Sequence, residues 1–185
     1  MAPVPPLPSA VGNARSLLVL GGARSGKSRF AEAWAASQSD DRVYLATATA
    51  GQDGEMAERI AQHRARRGVG WTTVEEPLDL TGALTTAARP DTVILVDCLT
   101  LWLTNLMLAD ADPAQAGADL VALLPTLPGR VVLVSNEVGL GIVPDNAMAR
   151  AFRDFAGRLH QDVAAVAEAV VFMVAGLPLV MKPAA

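Results

Sequence analysis

Apolar and polar positions alternate along this chain in blocks that have the lengths of strands and helices. Short, almost wholly apolar runs predict buried strands at 17–20, 42–48, 71–74, 92–97, 130–135 and 170–175. Longer segments with helical spacing lie between them and predict helices at 28–38, 53–67, 78–88, 99–108, 112–125 and 147–169. Strands that alternate with helices form right-handed βαβ units. We therefore predict an α/β fold with a mainly parallel sheet covered by helices on both faces.

The first predicted strand leads directly into a glycine-rich loop and a helix. The loop has the pattern G-x-x-x-x-G-K-S, in which backbone N–H groups turn toward an anion, the lysine reaches the outer phosphates and the serine binds the metal ion. The start of the following helix adds its positive dipole end. This pattern predicts a single P-loop NTPase domain. The predicted nucleotide contacts are Gly21, Gly22, Ala23, Arg24, Ser25, Gly26, Lys27 and Ser28.

Polar residues follow several predicted strands. The apolar run TVILVD ends in Asp97, which we predict holds Mg²⁺ together with Ser28. Ligands of open parallel sheets lie outside the carboxyl ends of the strands, so Ala46, Thr47 and Ala48 either line the nucleotide pocket or form an ordinary strand exit. Glu75 has the same two interpretations, as a contact to a sugar or base and as a solvated strand end.

A second informative stretch is the predicted helix 53–67. Its residues Glu55, Arg59, His63 and Arg67 are four apart and so share one stripe of the helix. One interpretation is a solvated face with i,i+4 ion pairs. The other is a phosphate-handling histidine, since the surrounding arginines hold an anion and favour the neutral, nucleophilic imidazole. Spacing alone leaves both open. His160, in the last predicted helix, is interpreted as a surface or packing residue.

Composition narrows the class of partner. The 185 residues suit one domain, and the formal net charge of -4 provides no basic field for a nucleic acid, so small-molecule substrates are expected. The lone Cys98 lies in an apolar run and is predicted to be a buried thiol in a reducing cytoplasm.

Both ends of the chain have unusual compositions. Residues 1–15 are rich in Pro and Ala and predict a flexible tail ahead of a domain at 16–185. The apolar segment 163–181 is interrupted by Glu168, Gly176 and Pro178, so no membrane span is expected.

Six blocks of sequence carry a family resemblance. They are GGARSGKSRFAEAWA, VYLATA, EMAERIAQHR, WTTVEEP, VDCLTLWLTNL and SNEVGLGIVPDN, in this order between about residues 16 and 182. With them the chain resembles the bifunctional adenosylcobinamide kinase and adenosylcobinamide-phosphate guanylyltransferase of cobalamin synthesis. Many families share the P-loop, whereas the histidine helix joined to WTTVEEP and NEVGLGIVP is specific.

The resemblance implies two reactions on one domain. ATP or GTP phosphorylates the aminopropanol hydroxyl of adenosylcobinamide, and GTP then gives its GMP moiety to adenosylcobinamide phosphate. It implies a guanylylated histidine at His63 and a homo-oligomer, a trimer in this family. The GTP contacts that it implies are the P-loop, Ala46 to Ala48, Glu75, Asp97 and the four residues Arg64, Ala65, Arg66 and Arg67. Asp97 stands where some relatives have Glu.

Two rival functions remain compatible with the P-loop itself. One is a kinase of a small alcohol without guanylyl transfer, in which the helix of His63 only covers the transferred phosphate. The other is a nucleotide-switched binding module whose partner is a protein.

Overall fold

The computed structural model describes residues 7–48 and 70–184, which form a seven-stranded sheet with helices on both faces. Its strands are β1 (Ser16–Gly21), β2 (Arg42–Ala46), β3 (Trp71–Glu75), β4 (Val93–Asp97), β5 (Arg130–Asn136), β6 (Ala169–Val174) and β7 (Leu177–Lys182). Within the described residues the α-helices are α1 (Lys27–Gln38), α2 (Leu80–Ala87), α3 (Leu99–Leu108), α4 (Pro113–Leu123) and α5 (Ala147–Val166), with 3₁₀ turns at Ser9–Val11 and Leu124–Thr126. The predicted helix 53–67 lies outside them.

The strand order is β3-β2-β4-β5-β1-β6-β7, and only the β6–β7 pair is antiparallel. The predicted mainly parallel sheet is confirmed. The sequence did not predict β7 as a strand of its own. The chain reverses between β6 and β7 at Ala175 and Gly176, both with positive φ (51° and 82°), a conformation that glycine adopts without a steric cost.

Alternate residues of the central strands pack into two separate cores. On one face Val19 and Val134 pack with Trp34 of α1. On the other face Leu18 and Leu133 pack with residues of α3, α4 and α5, among them Trp102, Leu120 and Leu159. Helix α1 and helix α5 therefore lie on opposite faces of the sheet.

Residues 7–15, which we expected to belong to a flexible tail, pack against the domain. Val11 is fully buried, and its carbonyl accepts a hydrogen bond from Trp34 Nε1 at 2.9 Å. The backbone N–H of Ala184 donates to Ala10 O at 2.7 Å. Burial of Val11 and Ala14 beside α1 gives this segment an apolar anchor.

Because the six strands β1 to β6 are parallel, their carboxyl ends meet at one edge of the sheet, here called the carboxyl edge. This edge gathers Gly21, Ala46, Glu75, Asp97 and Asn136. In the part of the chain that the structure describes, no helix is both long and apolar enough to cross a membrane.

Candidate functional site

The P-loop connects the carboxyl end of β1 with α1, and two of its glycines adopt positive φ. Gly21 has φ 149°, and a Cβ there would lie 2.5 Å from Met173 O. Gly26 has φ 100° and immediately precedes Lys27, the first residue of α1. A side chain at Gly21 would collide with backbone, and one at Gly26 would strain the turn into the helix. The motif glycines thus shape the loop, as predicted.

Lys27 lies beneath the loop. Its side chain is buried, and Nζ donates a 2.7 Å hydrogen bond to Gly22 O. Burial lowers the pKa of Lys27, whereas the nearby Asp97 and, less strongly, Cys98 oppose this shift. Asp97 is thus close enough to act electrostatically on Lys27 across the intervening strand β5. The structure brings the predicted phosphate-binding lysine and the predicted metal-binding carboxylate to one place.

Tyr44 holds the carboxylate of Asp97. The Tyr44 hydroxyl donates to Asp97 Oδ2 at 2.9 Å, and its buried ring meets the Trp71 ring edge to face, with centroids 6.2 Å apart. The sequence analysis did not include Tyr44 among the site residues. Tyr44 pairs with Leu95 of β4, and Asp97 is two positions further along that strand. Residues two apart in a strand lie on the same face of the sheet, and this alternation was the only sequence signal that linked Tyr44 to Asp97.

The buried side chain of Thr47 bonds to the protein's own backbone. Its Oγ1 donates to Cys98 O at 2.8 Å and accepts from Cys98 N at 2.9 Å, while Asn105 Nδ2 donates to Thr47 O at 2.8 Å. These bonds tie the exit of β2 to the start of α3. The predicted nucleotide contacts of Ala46, Thr47 and Ala48 stay predictions, with a positioning role for the Thr47 hydroxyl now visible.

Two further predicted residues flank this point. Glu75 is exposed at the end of β3, and Ala46 pairs with Glu75 on one side and Asp97 on the other, so the three form a row across the carboxyl edge. The Cys98 thiol is half-buried, 3.1 Å from Thr100 Oγ1. Burial raises the pKa of this thiol, and Asp97 adds to the effect. Cys98 is therefore a neutral structural thiol at neutral pH.

His63, Arg64, Ala65, Arg66 and Arg67 lie outside the described residues. The described chain stops at Ala48, at the carboxyl edge, and resumes at Gly70, one residue before β3. The roles predicted for these five residues stay predictions.

The second histidine belongs to a different environment. His160 Nε2 lies 2.7 Å from Ser135 Oγ, on the face of the sheet that α5 covers. Burial lowers the pKa of His160, and the charge of Glu137 opposes the shift. His160 is therefore neutral at pH 7 and linked to a buried hydroxyl, in keeping with the packing role that the sequence analysis gave it.

The donor set at the P-loop fits a magnesium ion. Mg²⁺ prefers oxygen ligands and keeps several waters and substrate phosphates in its shell, so it needs only one or two protein oxygens. Asp97 has one carboxylate oxygen fixed by Tyr44, and Ser28 lies one residue into α1. Among the described residues there is no cluster of three or more His, Cys, Asp or Glu that would form an all-protein metal cage. Two surface clefts that share Arg15 and Gly129 in their linings lie at the opposite edge of the sheet and are not part of this site.

Fold and site together define a P-loop NTPase domain: a parallel sheet, a glycine loop leading into α1, and Lys27 close to Asp97. The fold resembles that of the flagellar accessory protein FlaH from Methanocaldococcus jannaschii, with a TM-score of 0.51 at 11% identity over 92% of this chain and 79% of that chain. The family model of cobinamide kinase / cobinamide phosphate guanyltransferase matches residues 17–181, and the chain belongs to this family.

Two curated relatives match this chain over nearly the whole of their own length. The bifunctional adenosylcobalamin biosynthesis protein CobP of Pseudomonas aeruginosa is 55% identical over 168 residues, which cover 89% of this chain and 96% of the relative. The bifunctional adenosylcobalamin biosynthesis protein CobU of Salmonella typhimurium is 42% identical over 181 residues, covering 90% and 99%. The family resemblance stated from the sequence is thereby confirmed.

Proposed function

We propose that this chain performs both activities of its family at the P-loop site. It phosphorylates the aminopropanol hydroxyl of adenosylcobinamide with ATP or GTP, and it then transfers GMP from GTP to the resulting phosphate, giving adenosylcobinamide-GDP. The observation that supports a shared site is that Lys27, at the end of the P-loop, and Asp97, at the end of β4, lie within electrostatic reach of each other.

The kinase step requires little from the protein beyond position and charge. The acceptor hydroxyl attacks the γ-phosphorus, its P–O bond forms as the bond to the β-phosphate oxygen breaks, and the hydroxyl proton leaves to solvent or a base. Backbone N–H groups of the P-loop and the Lys27 ammonium stabilise the charge on the departing phosphate oxygens. We assign Ser28 and Asp97 as the protein ligands of Mg²⁺, which neutralises phosphate charge when bound.

Guanylyl transfer proceeds through His63 in this proposal. The imidazole nitrogen attacks the α-phosphorus, a P–N bond forms, and pyrophosphate leaves from the cradle of Lys27. The corrinoid phosphate then attacks the same phosphorus, so the P–N bond breaks as the new P–O–P linkage forms. Two displacements replace one direct attack of an anion on an anion.

The choice of histidine has support from the described residues. The chain contains 2 histidines. One of them, His160, lies on the α5 face, where its Nε2 is engaged with Ser135 Oγ. Helix α1, into which the P-loop leads, packs on the opposite face. His63 is therefore the histidine that we assign as the nucleophile, with Arg64, Arg66 and Arg67 holding phosphate oxygens.

Product mass tests the proposed function. Incubation with adenosylcobinamide, GTP and Mg²⁺ should give adenosylcobinamide phosphate first and adenosylcobinamide-GDP later. A reaction that stops at the phosphate, with pyrophosphate never released, would instead identify a kinase alone. Slow GTP hydrolysis that no corrinoid changes would identify a nucleotide-switched binding module.

We further propose that the protein is a homo-oligomer, a trimer by its family resemblance. The β6–β7 hairpin supports this. Four of its large apolar residues are more than half exposed: Val174, Leu177, Leu179 and Met181. Monomers rarely leave such a row uncovered at a sheet edge. Sedimentation at working concentration should show an oligomer, and replacing Leu177 and Leu179 with Ser should shift it toward monomer; a wild-type monomer would contradict the proposal.

A further inference from the structure

The second apolar surface of the molecule is an arm formed by residues 138–153, which comprise the loop after β5 and the first two turns of α5. His160 Nε2 lies 2.7 Å from Ser135 Oγ, so residue 160 of α5 lies beside the carboxyl end of β5. Helix α5 begins at Ala147, thirteen residues before His160. At 1.5 Å per residue, its first residue lies about 20 Å from His160 along the helix axis, in the direction away from the strands. The arm therefore extends past the strand ends, beyond the carboxyl edge.

The arm is joined to the P-loop at its root. The backbone N–H of Glu137 donates to Gly21 O, the first residue of the P-loop, at 3.0 Å. Helix α5 packs on one face of the sheet and α1 on the other. The carboxyl edge, with Lys27 and Asp97, consequently lies between the start of α1 on one side and the arm on the other.

Hydrogen bonds within the arm give it a defined shape. Asn146 caps α5, with Oδ1 accepting from Ala149 N at 2.7 Å. Arg150 Nη1 donates to Pro144 O at 3.0 Å and to Asp145 O at 2.6 Å, which ties the returning chain to the helix. At the root, the Glu137 carboxylate accepts from Gly139 N at 2.7 Å. These hydrogen bonds give the arm a defined conformation beside the carboxyl edge.

The tip of the arm is apolar and exposed. Residues 138–144 contain no charged side chain. Ile142 is 97% exposed and Leu140 83%, and Val143 and Met148 are each more than half exposed. A cluster of exposed apolar side chains so close together in the sequence marks a binding surface more often than a solvated loop.

One nitrogen of the half-buried Arg153, in the helical part of the arm, has no hydrogen-bond partner among the described residues. This nitrogen, Nη1, is inaccessible to solvent, and no acceptor in the part of the chain that the structure describes bonds to it. Long side chains of a helix point back toward its amino end, which for Arg153 is the side of the arm beyond the strand ends. A buried guanidinium N–H without an acceptor destabilises the protein, because the group loses its hydrogen bonds to water and gains none in return. An acceptor oxygen of a ligand on the arm could satisfy this N–H once the Arg153 side chain turned outward to the surface.

We propose that the arm binds the body of the corrinoid substrate. The corrinoid combines a large, largely apolar ring with amide side chains, and only its aminopropanol end must reach the phosphates. Because the P-loop fixes where that end reacts, the body must lie beside the carboxyl edge, where the arm offers an apolar surface of matching chemistry. Leu140, Ile142 and Val143 contact the ring, and the Arg153 side chain turns outward to donate to an oxygen of an amide or of the substrate phosphate. This inference rests on the proposed function.

A matched pair of variants of the full-length protein tests the tip. Ile142→Ser should weaken equilibrium binding of adenosylcobinamide, and raise its KM, about tenfold, with the KM for GTP unchanged. Leu108→Ser is the control: Leu108 is 68% exposed at the end of α3, toward the opposite edge of the sheet, and its replacement should leave corrinoid binding unchanged.

The outcomes separate this inference from its rivals. Unchanged corrinoid binding in the Leu140→Ser, Ile142→Ser double variant would overturn it. A shifted sedimentation coefficient with unchanged corrinoid binding would make the arm a contact between copies of the chain, which also overturns it. Formation of a GMP adduct from GTP alone needs no corrinoid, so its absence in the wild type would refute the guanylyltransferase mechanism while leaving corrinoid binding measurable.

The contact of Arg153 has its own test. Arg153→Gln is compared in binding of adenosylcobinamide and of adenosylcobinamide phosphate, with GTP binding as the check on folding. Equal weakening of both would support a contact to a ring amide, and weakening confined to the phosphorylated corrinoid would support a contact to the phosphate. If neither ligand binds more weakly, Arg153 has no part in the corrinoid site.

Discussion

The two sides of the carboxyl edge differ in how they present chemistry. On the α1 side, the glycines of the P-loop and the buried Lys27 form a compact polar site stabilised by backbone groups. On the α5 side, the arm exposes Leu140 and Ile142 and extends past the strands. In our proposal the α1 side therefore holds the charged, reacting end of the substrates, and the α5 side holds the bulk of the corrinoid.

Removing the central charge of the α1 side should have the largest effect. Lys27→Ala is expected to lower kcat/KM of both the kinase and the guanylyltransferase about a hundredfold or more, because one triphosphate cradle serves both steps. Steady-state kinetics of each half-reaction, with circular dichroism to verify folding, measures this. Normal guanylylation by the variant would require a second nucleotide site and would contradict the division between the two sides.

Loosening the carboxylate on the same side should have a smaller effect. Tyr44→Phe removes the 2.9 Å hydrogen bond to Asp97 Oδ2 while keeping the buried ring. Because Asp97 would then be held less firmly as a ligand of Mg²⁺, we expect the Mg²⁺ concentration for half-maximal GTP binding to rise about three- to tenfold. Calorimetric titration of GTP at several Mg²⁺ concentrations measures it, and metal-free GTP binding is the internal control. An unchanged Mg²⁺ requirement would show that Tyr44 does not position Asp97.

Changing the packing histidine of the α5 side should affect stability and spare catalysis. Burial lowers the pKa of His160 in the folded state, so the unfolded chain binds a proton more readily. This contribution to stability is complete above the unfolded pKa of about 6.5 and is lost progressively as the pH falls from that value through the lower pKa of the folded state.

His160→Gln should therefore show a weaker decline of the melting temperature below about pH 6.5. Both half-reactions should retain their rates, because His160 lies on the face opposite to α1. Loss of guanylyl transfer in a folded His160→Gln variant would indicate that the reacting histidine lies on the α5 side, which would contradict the division of roles between the two sides.

Much of the α1 side was predictable from the sequence. The apolar run before Gly21, the glycine spacing and the carboxylate at the end of TVILVD are local signals, and the structure places these elements as expected. Local signals also explain the errors at helix ends. The alanine-rich stretch around 164–169 contains no turn residue, so the predicted helix ran on to 169, whereas α5 ends at Val166 and β6 begins at Ala169.

The missed features depend on contacts between distant parts of the chain. Tyr44 acquires its role from a neighbour 53 positions away. The arm depends on the alignment of α5 with β5, which the Ser135–His160 contact sets and which no local pattern encodes. The strand β7 was missed because an antiparallel strand after a parallel sheet depends on the turn at Ala175 and Gly176.

The central claim, that GMP passes through His63, is tested most directly by mapping the covalent adduct. The protein is incubated with GTP labelled at the α-phosphate, and the labelled peptide is identified by mass spectrometry. We predict an acid-labile, base-stable adduct on His63 that adenosylcobinamide phosphate discharges, and its loss in His63→Ala, with phosphorylation of adenosylcobinamide largely retained. An adduct on another residue, or one that persists in His63→Ala, would contradict the account.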